Sequence, residues 1–87
     1  MSIDLQRLAV AIQCRMPDWV LDVNVGEKFD ADGEPALRIT LIVEAKPELF
    51  GDGPRLESAV DAVHAVVEQM GVDRWPYTNF VSVDDAA

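Results

Sequence analysis

The residues that could carry chemistry gather around His64, the single histidine of the chain. Asp61 and Glu68 stand three positions before it and four positions after it, so on a helix all three side chains reach one point. Two carboxylates and an imidazole there could hold a metal ion or exchange a proton. The solvated acidic flank of a helix has the same composition and is far more common. We therefore expect no metal site, and keep a small metal-binding or enzymatic domain using these residues as the alternative.

Two further segments contain the residue types of a binding site without its spacing. Asp30, Asp32 and Gly33 match the middle of a calcium loop, but the glutamate required at the twelfth position is missing. A simple acidic turn is the better interpretation. Residues 51–53, with Arg55 close by, could present backbone N–H groups to an anion. A phosphate loop needs more glycine and a lysine, so this segment is interpreted as a connection that ends in a helix cap.

No catalytic residue is expected from the other side chains. Cys14 has no base beside it, and Arg15 is the one neighbouring cation, so an activated thiol is not predicted. A lone histidine in an acidic stripe gives no basis for a Ser-His-carboxylate triad. The sequence thus predicts a protein that is not an enzyme and has no cofactor and no metal ligands. A single cysteine and no N-terminal apolar signal segment favour the cytoplasm.

The charge of the chain excludes several classes of partner. The net charge is −9, from 16 acidic and 7 basic residues, while 49% of the residues are hydrophobic. This apolar fraction is ordinary for a folded domain. Phosphate backbones and anionic lipid surfaces repel a protein of this charge, so no nucleic acid and no membrane partner is expected. No apolar run approaches the roughly 18 residues that span a bilayer.

Two strand-like runs have their apolar residues on odd positions. The first run contains Trp19, Leu21, Val23 and Val25, and the second contains Leu37, Ile39, Leu41, Val43 and Ala45. Such alternation buries one face of a sheet and leaves the other in water. Because the segment between them is turn-forming, with Gly33 free to take positive φ, the runs predict an antiparallel hairpin of strands over 19–28 and 36–46.

The helices are predicted from apolar spacing and from their ends. Residues 2–15 have a helical apolar face, with Ser2 as N-cap and Asp4 in the first turn. The second helix is expected over 54–70, where Pro54 suits the first position and Gly71 the C-terminal cap.

Residues 77–83 predict a third strand and residues 84–87 a tail. The chain is therefore expected to be a single α+β domain over 1–87, of order αββαβ, with a three-stranded sheet and two helices packed on one face. Whether strand 3 lies beside strand 1 or strand 2 stays open. The order resembles small KH-like domains in outline, but the Gly-x-x-Gly loop that those domains use on RNA is absent, so no function is carried over.

Apolar residues on the outer surface predict an interface. Val20 and Ile42 occupy even positions among polar residues, so they are expected on the open face of the sheet. Strand 3 adds either Phe80, or Val81 and Val83, depending on its register. Ile3 and Val10 form a second stripe on helix 1. A contiguous apolar patch on an otherwise acidic domain indicates a partner.

The function expected from these features is that of a non-enzymatic acidic protein-interaction module. The partner is expected to be a second copy, giving a homodimer, or a basic protein. Antitoxins, inhibitors and accessory subunits, as found in bacteria, are classes of this kind. The sequence does not choose among them.

Overall fold

The computed structural model describes residues 4–45 and 51–86, and confirms the α+β class. The elements are α1 (Leu5–Gln13), β1 (Val20–Phe29), β2 (Pro35–Val43), α2 (Gly53–Gln69), β3 (Trp75–Ser82) and α3 (Val83–Ala86). The predicted αββαβ order is therefore correct, with one addition. The expected tail is wrong over its described part, since residues 83–86 form a short helix that packs against β2 and β3.

The sheet is mixed, with strand order β1-β2-β3. β1 and β2 pair antiparallel, as the hairpin prediction required, and Val23 lies opposite Leu41. β3 runs parallel to β2, with Leu41 beside Phe80, which answers the question of strand order that the sequence left open. The outer edges of the sheet are thus β1 and β3.

The core lies between the sheet and the helices α1 and α2. Its fully buried large side chains are Leu8, Ile12, Leu37, Ile39, Leu41, Val43 and Val63. Leu37, Ile39, Leu41 and Val43 of β2 therefore face inward, as their alternation predicted, whereas Ala45 of the same run is exposed beyond the end of the strand. The two helices contribute residues at helical spacing, and their outer sides stay polar.

The helix ends follow from local side chains. Asp4 is the N-cap of α1, and its carboxylate accepts a hydrogen bond of 3.0 Å from the N–H of Arg7. The prediction of Asp4 inside the first turn is therefore wrong, because Asp4 is the residue that caps the helix. Ser2, the predicted N-cap, lies outside the described residues. At the end of α2, Gly71 has φ +69°, and its N–H and that of Val72 bond back to the last turn. This Schellman arrangement is what the predicted glycine cap requires.

A β-bulge at the start of β1 reverses one predicted orientation. The register shifts between Val20 and Asp22, so Leu21 is the extra residue. Val20 pairs with Val43 and is 4% exposed, while Leu21 is 47% exposed. The placement of Val20 on the open face is therefore wrong, because simple alternation cannot anticipate an inserted residue. Val20 belongs to the core.

The register of β3 decides between the two sequence alternatives. Phe80 faces inward and packs against the core, and its ring centroid lies 6.4 Å from that of Trp19. Phe80 is therefore not on the outer face, where one alternative had placed it. Val81 is half-buried on the outer side of β3, and Val83 is exposed in α3.

Candidate interaction surfaces

His64 lies in contact with an aromatic ring. Its imidazole meets Trp75 edge-on, with ring centroids 5.0 Å apart and an interplanar angle of 76°. Asp61 and Glu68 are exposed on the same helix. In the part of the chain that the structure describes, no three His, Cys, Asp or Glu side chains are placed to share a metal ion. The histidine thus contributes to an aromatic contact at the end of the sheet.

The acidic turn between β1 and β2 uses its carboxylates to hold itself. Asp30 Oδ1 accepts hydrogen bonds from the N–H groups of Asp32 and Glu34, at 2.9 and 3.0 Å. Gly33 has φ +81°, a conformation that glycine adopts without strain. The carboxylate of Asp30 therefore stabilises the turn, in agreement with the interpretation of this segment as a simple acidic turn.

The candidate anion site before α2 is filled by the protein itself. Asp52 is the N-cap of α2; its carboxylate accepts from the N–H of Arg55 and lies 3.3 Å from the guanidinium of that residue. A cleft of about 630 Å³ opens nearby and is also lined by Arg15. Arg15 donates to Gln69 at 3.1 Å. Arg55 is thus neutralised by Asp52, whereas Arg15 has a neutral hydrogen-bond partner and keeps its charge at the cleft.

Helix α1 carries one exposed apolar residue of the predicted second stripe. Val10 is 58% exposed, as expected, and Cys14 at the C-cap is exposed as well. Ile3 lies outside the described residues. The interface role of this stripe stays a prediction.

The outer face of the sheet is more polar than the sequence predicted. Ile42 and Val81 are only half-exposed there. The ammonium of Lys28 lies 4.5 Å from the ring centroid of Tyr77, so the lysine crosses the face above β2. Arg38 reaches over Gly26 on β1. With Val20 and Phe80 turned inward, the part of the expected apolar patch that remains on this face is Ile42 with its neighbour Val81, and its interface role stays a prediction.

The exposed aromatic side chains instead gather at one end of the sheet, which we call the aromatic end and define by Phe29, Trp75 and Tyr77. Phe29 pairs with Pro35 and Trp75 with Ala36, so these two flank the start of β2. They are 72% and 59% exposed. Neither residue was expected at an interface from the sequence. Their position directly beside turn residues, at the ends of strands, is the signal that could have identified them.

Acidic residues surround the aromatic end. The turn that follows Phe29 contains Asp30, Asp32 and Glu34, and Asp73 precedes Trp75 by two positions. Two cations also lie close to this end: the ammonium of Lys28 is 4.5 Å from the ring centroid of Tyr77, and Arg74 is bound to Glu27 at 2.9 Å. Aromatic anchors within a charged rim are the composition of protein–protein contact sites.

The free edge of β3 is unsuited to pairing with another strand. Successive residues of a strand direct their N–H and C=O groups to opposite sides. The register with β2 directs the backbone N–H and C=O groups of Pro76, Thr78 and Phe80 away from β2, toward the free edge of β3. Pro76 has no N–H to donate, and proline on an edge strand discourages further pairing.

The free edge of β1 is available for pairing. Phe29 lies opposite Pro35, which lacks an N–H, and the N–H of Asp30 donates to the carbonyl of Glu34. The alternation of bonded and non-bonded pairs then directs the N–H and C=O groups of Phe29, Glu27 and Val25 away from β2. The backbone groups of Val23 also face away from β2, and its N–H donates to the carboxylate of Asp22 at 2.8 Å.

Comparisons with known proteins add no family to this description: a scan of protein-family models, a search of curated proteins and a search of solved structures found no match to the chain. Within the described ranges, no helix has the length and apolar character needed to traverse a bilayer. The functional argument therefore depends on the surfaces themselves.

Proposed function

We propose that this protein is a non-enzymatic protein-interaction module that binds a basic protein through its aromatic end. The observation that carries the proposal is the exposure of Phe29 and Trp75 on either side of β2. Large aromatic side chains dominate the binding energy of interfaces when a partner buries them. Phe29 pairs with Pro35 and Trp75 with Ala36, so the two rings leave this end of the sheet on opposite faces, and a partner that contacts both must wrap around the end.

The charge around the aromatic end supports a basic partner. The rim contributes Asp30, Asp32, Glu34 and Asp73, and the chain as a whole carries a net charge of −9. Complementary charge steers association and suppresses binding to acidic proteins. Antitoxin, inhibitor and accessory subunit are the roles compatible with such a contact, in a cytoplasmic setting.

The test begins with capture of partners from the source organism and continues with purified components. Trp75→Ala is expected to weaken binding of the captured protein at least about tenfold, as a truncated anchor does. Val10→Ser is the matched control, since Val10 is equally exposed but lies on α1. It is expected to bind within about threefold of the wild type, which is ~0.7 kcal/mol.

Salt provides the second arm of this test. Binding to a basic partner should weaken from about 0.1 M to about 1 M salt, as the Debye length falls from about 10 Å to about 3 Å. DNA in the same series is expected not to bind. An acidic partner, or a basic one that binds Trp75→Ala as well as the wild type, would contradict the proposal.

Self-association is a second candidate, favoured by the free edge of β1. This strand has ten residues, and its outward backbone groups offer a template for another chain. A domain this small has a marginal core, so a dimer that buries more surface would stabilise it. Light scattering checks this directly: a dimer has twice the mass of the 9.6 kDa chain, and a monomer at high micromolar concentration would refute self-association.

A further inference from the structure

We infer that two copies join by antiparallel pairing of their β1 strands about a two-fold axis at Val25, with Asp22 of each copy held by Arg38 and Lys28 of the other. The inference depends on the proposed self-association and specifies its surface and register. The product is a continuous six-stranded sheet, because each copy contributes three strands. A two-fold contact of this kind uses the same patch on both copies.

The backbone restricts which registers can form. Only residues whose N–H and C=O groups face the free edge can exchange hydrogen bonds with the second copy, and these are Val23, Val25, Glu27 and Phe29. An axis at Val25 pairs Val25 with itself and Val23 with Glu27 of the second copy. The N–H of Val23, held by Asp22 in the single chain, then donates across the interface, and the carboxylate of Asp22 is released.

The side chains select one register among those that remain. With the axis at Val25, Asp22 lies opposite Lys28 of the second copy on both sides of the axis. The ammonium of Lys28, which lies over the Tyr77 ring in the single chain, turns to that carboxylate on pairing. With the axis at Gly26, Asp22 meets Asp30, and with the axis at Glu27 two glutamates face each other. Like charges placed directly opposite destabilise a strand pair, whereas opposite charges stabilise it. With the axis at Asn24, Lys28 lies opposite Val20 and has no carboxylate to pair with.

Arg38 adds a second cation at the same place. A β-carbon on Gly26 would come within 3.4 Å of Nη2 of Arg38, so the guanidinium lies over β1, an edge strand of the sheet. In the proposed register Gly26 lies opposite Asn24 of the second copy, and Asp22 of that copy is the diagonal neighbour, about 7–8 Å away between backbones. Among the described residues, no carboxylate pairs with Arg38 in the single chain. The second copy supplies one.

Apolar surface is brought together at the ends of the paired strands. The register places Leu21 of one copy beside Phe29 of the other, and these side chains are 47% and 72% exposed in the single chain. The face that would accept Asp22 is polar and lined in part by Asn24, Thr40 and Asn79, where Thr40 Oγ1 donates to Asn79 at 3.1 Å. The paired surface thus combines charged, polar and apolar complementarity.

The test is a charge exchange between two variants. Asp22→Lys alone places lysine against Arg38 and Lys28, and the double variant Lys28→Glu/Arg38→Glu places acids against Asp22. Each is expected to be monomeric by sedimentation or light scattering. An equimolar mixture restores every opposite-charge pair, so it is expected to form a heterodimer that neither variant forms alone.

Controls separate the register from folding and from self-association itself. The double variant Arg15→Glu/Arg55→Glu changes the net charge by the same amount as Lys28→Glu/Arg38→Glu but leaves β1 untouched. It is expected to dimerise like the wild type. Circular dichroism checks that each variant folds. Val25→Pro removes the central N–H donor at an edge that tolerates proline, and is expected to be a folded monomer. A dimer that persists in both Asp22→Lys and Val25→Pro would overturn pairing through β1, whereas a monomeric wild type would overturn self-association as well.

Discussion

Arg38 extends across Gly26, so that a cation from the central strand lies over β1, an edge strand of the sheet. The arrangement depends on the missing side chain at position 26. An alanine β-carbon would be in van der Waals contact with the guanidinium, 3.4 Å from Nη2, and any longer branched side chain would displace it. A central-strand arginine is thereby available to a second chain.

Gly26→Val is expected to weaken dimerisation at least about tenfold, because the valine methyl groups push Arg38 away from the edge. Valine suits a strand, so the free energy of unfolding of the monomer should change by less than about 1 kcal/mol. Sedimentation at several concentrations and urea unfolding measure the two quantities. Thr40→Val, on the same face but away from the edge, is the control. An unchanged dimer affinity in Gly26→Val would show that Arg38 takes no part in the interface.

The bulge makes adjacent residues differ in their contribution to stability. Val20→Ala is expected to lower the free energy of unfolding by about 1–3 kcal/mol, because Val20 is 4% exposed in the core. Leu21→Ala should change it by less than about 0.5 kcal/mol, since Leu21 is the exposed extra residue. Urea unfolding of both variants, under conditions where the protein is monomeric, gives the comparison. The reverse order of effects would mean that β1 alternates without a bulge.

The centre of the core is formed by the sheet and α2. Leu41→Ala and Val63→Ala are each expected to destabilise the fold by about 1–4 kcal/mol, because both side chains are fully buried in the same apolar cluster. Denaturant unfolding measures the change, with Val10→Ala as the exposed control. Changes below about 0.5 kcal/mol at both core positions would contradict the packing of α2 on β2.

His64 is expected to be dispensable for binding. His64→Gln should retain partner binding within about threefold, ~0.7 kcal/mol, because the imidazole only packs against Trp75. Isothermal titration with the basic partner measures the affinity, and a thermal-shift series with divalent ions should show no effect on the wild type. A loss of about a hundredfold, or a clear stabilisation by one metal, would instead favour the metal-binding alternative with Asp61 and Glu68.

The order of elements and most of the core could be predicted because both follow from local pattern. The odd-numbered apolar residues of β2 are all inside, and the cap of α2 at Gly71 is read directly from residue type, whereas its N-cap Asp52 was not predicted. Strand order could not be predicted, since it depends on how α2 returns the chain to the sheet. β3 has apolar residues of both parities, so its register is fixed only by packing against β2 and Trp19.

The candidate surfaces were harder to predict than the fold. Val20 was misplaced because an inserted residue shifts alternation by one position, which no local pattern reveals. Phe29 and Trp75 have the spacing of strand residues, and alternation alone does not reveal that they are 72% and 59% exposed. The availability of the β1 edge depends on strand order and on Pro76 at the opposite edge, both of which are properties of the assembled sheet.

The most direct measurement of the β1 pairing is amide hydrogen exchange of Val25 at low and high protein concentration. In the single chain the N–H of Val25 faces the free edge and should exchange quickly, while the N–H of Gly26 faces β2 and should be protected throughout. Pairing about Val25 predicts that Val25 becomes protected as concentration rises, with Gly26 unchanged. A Val25 amide that exchanges at the same fast rate at all concentrations, in a sample shown to contain dimer, would contradict the account.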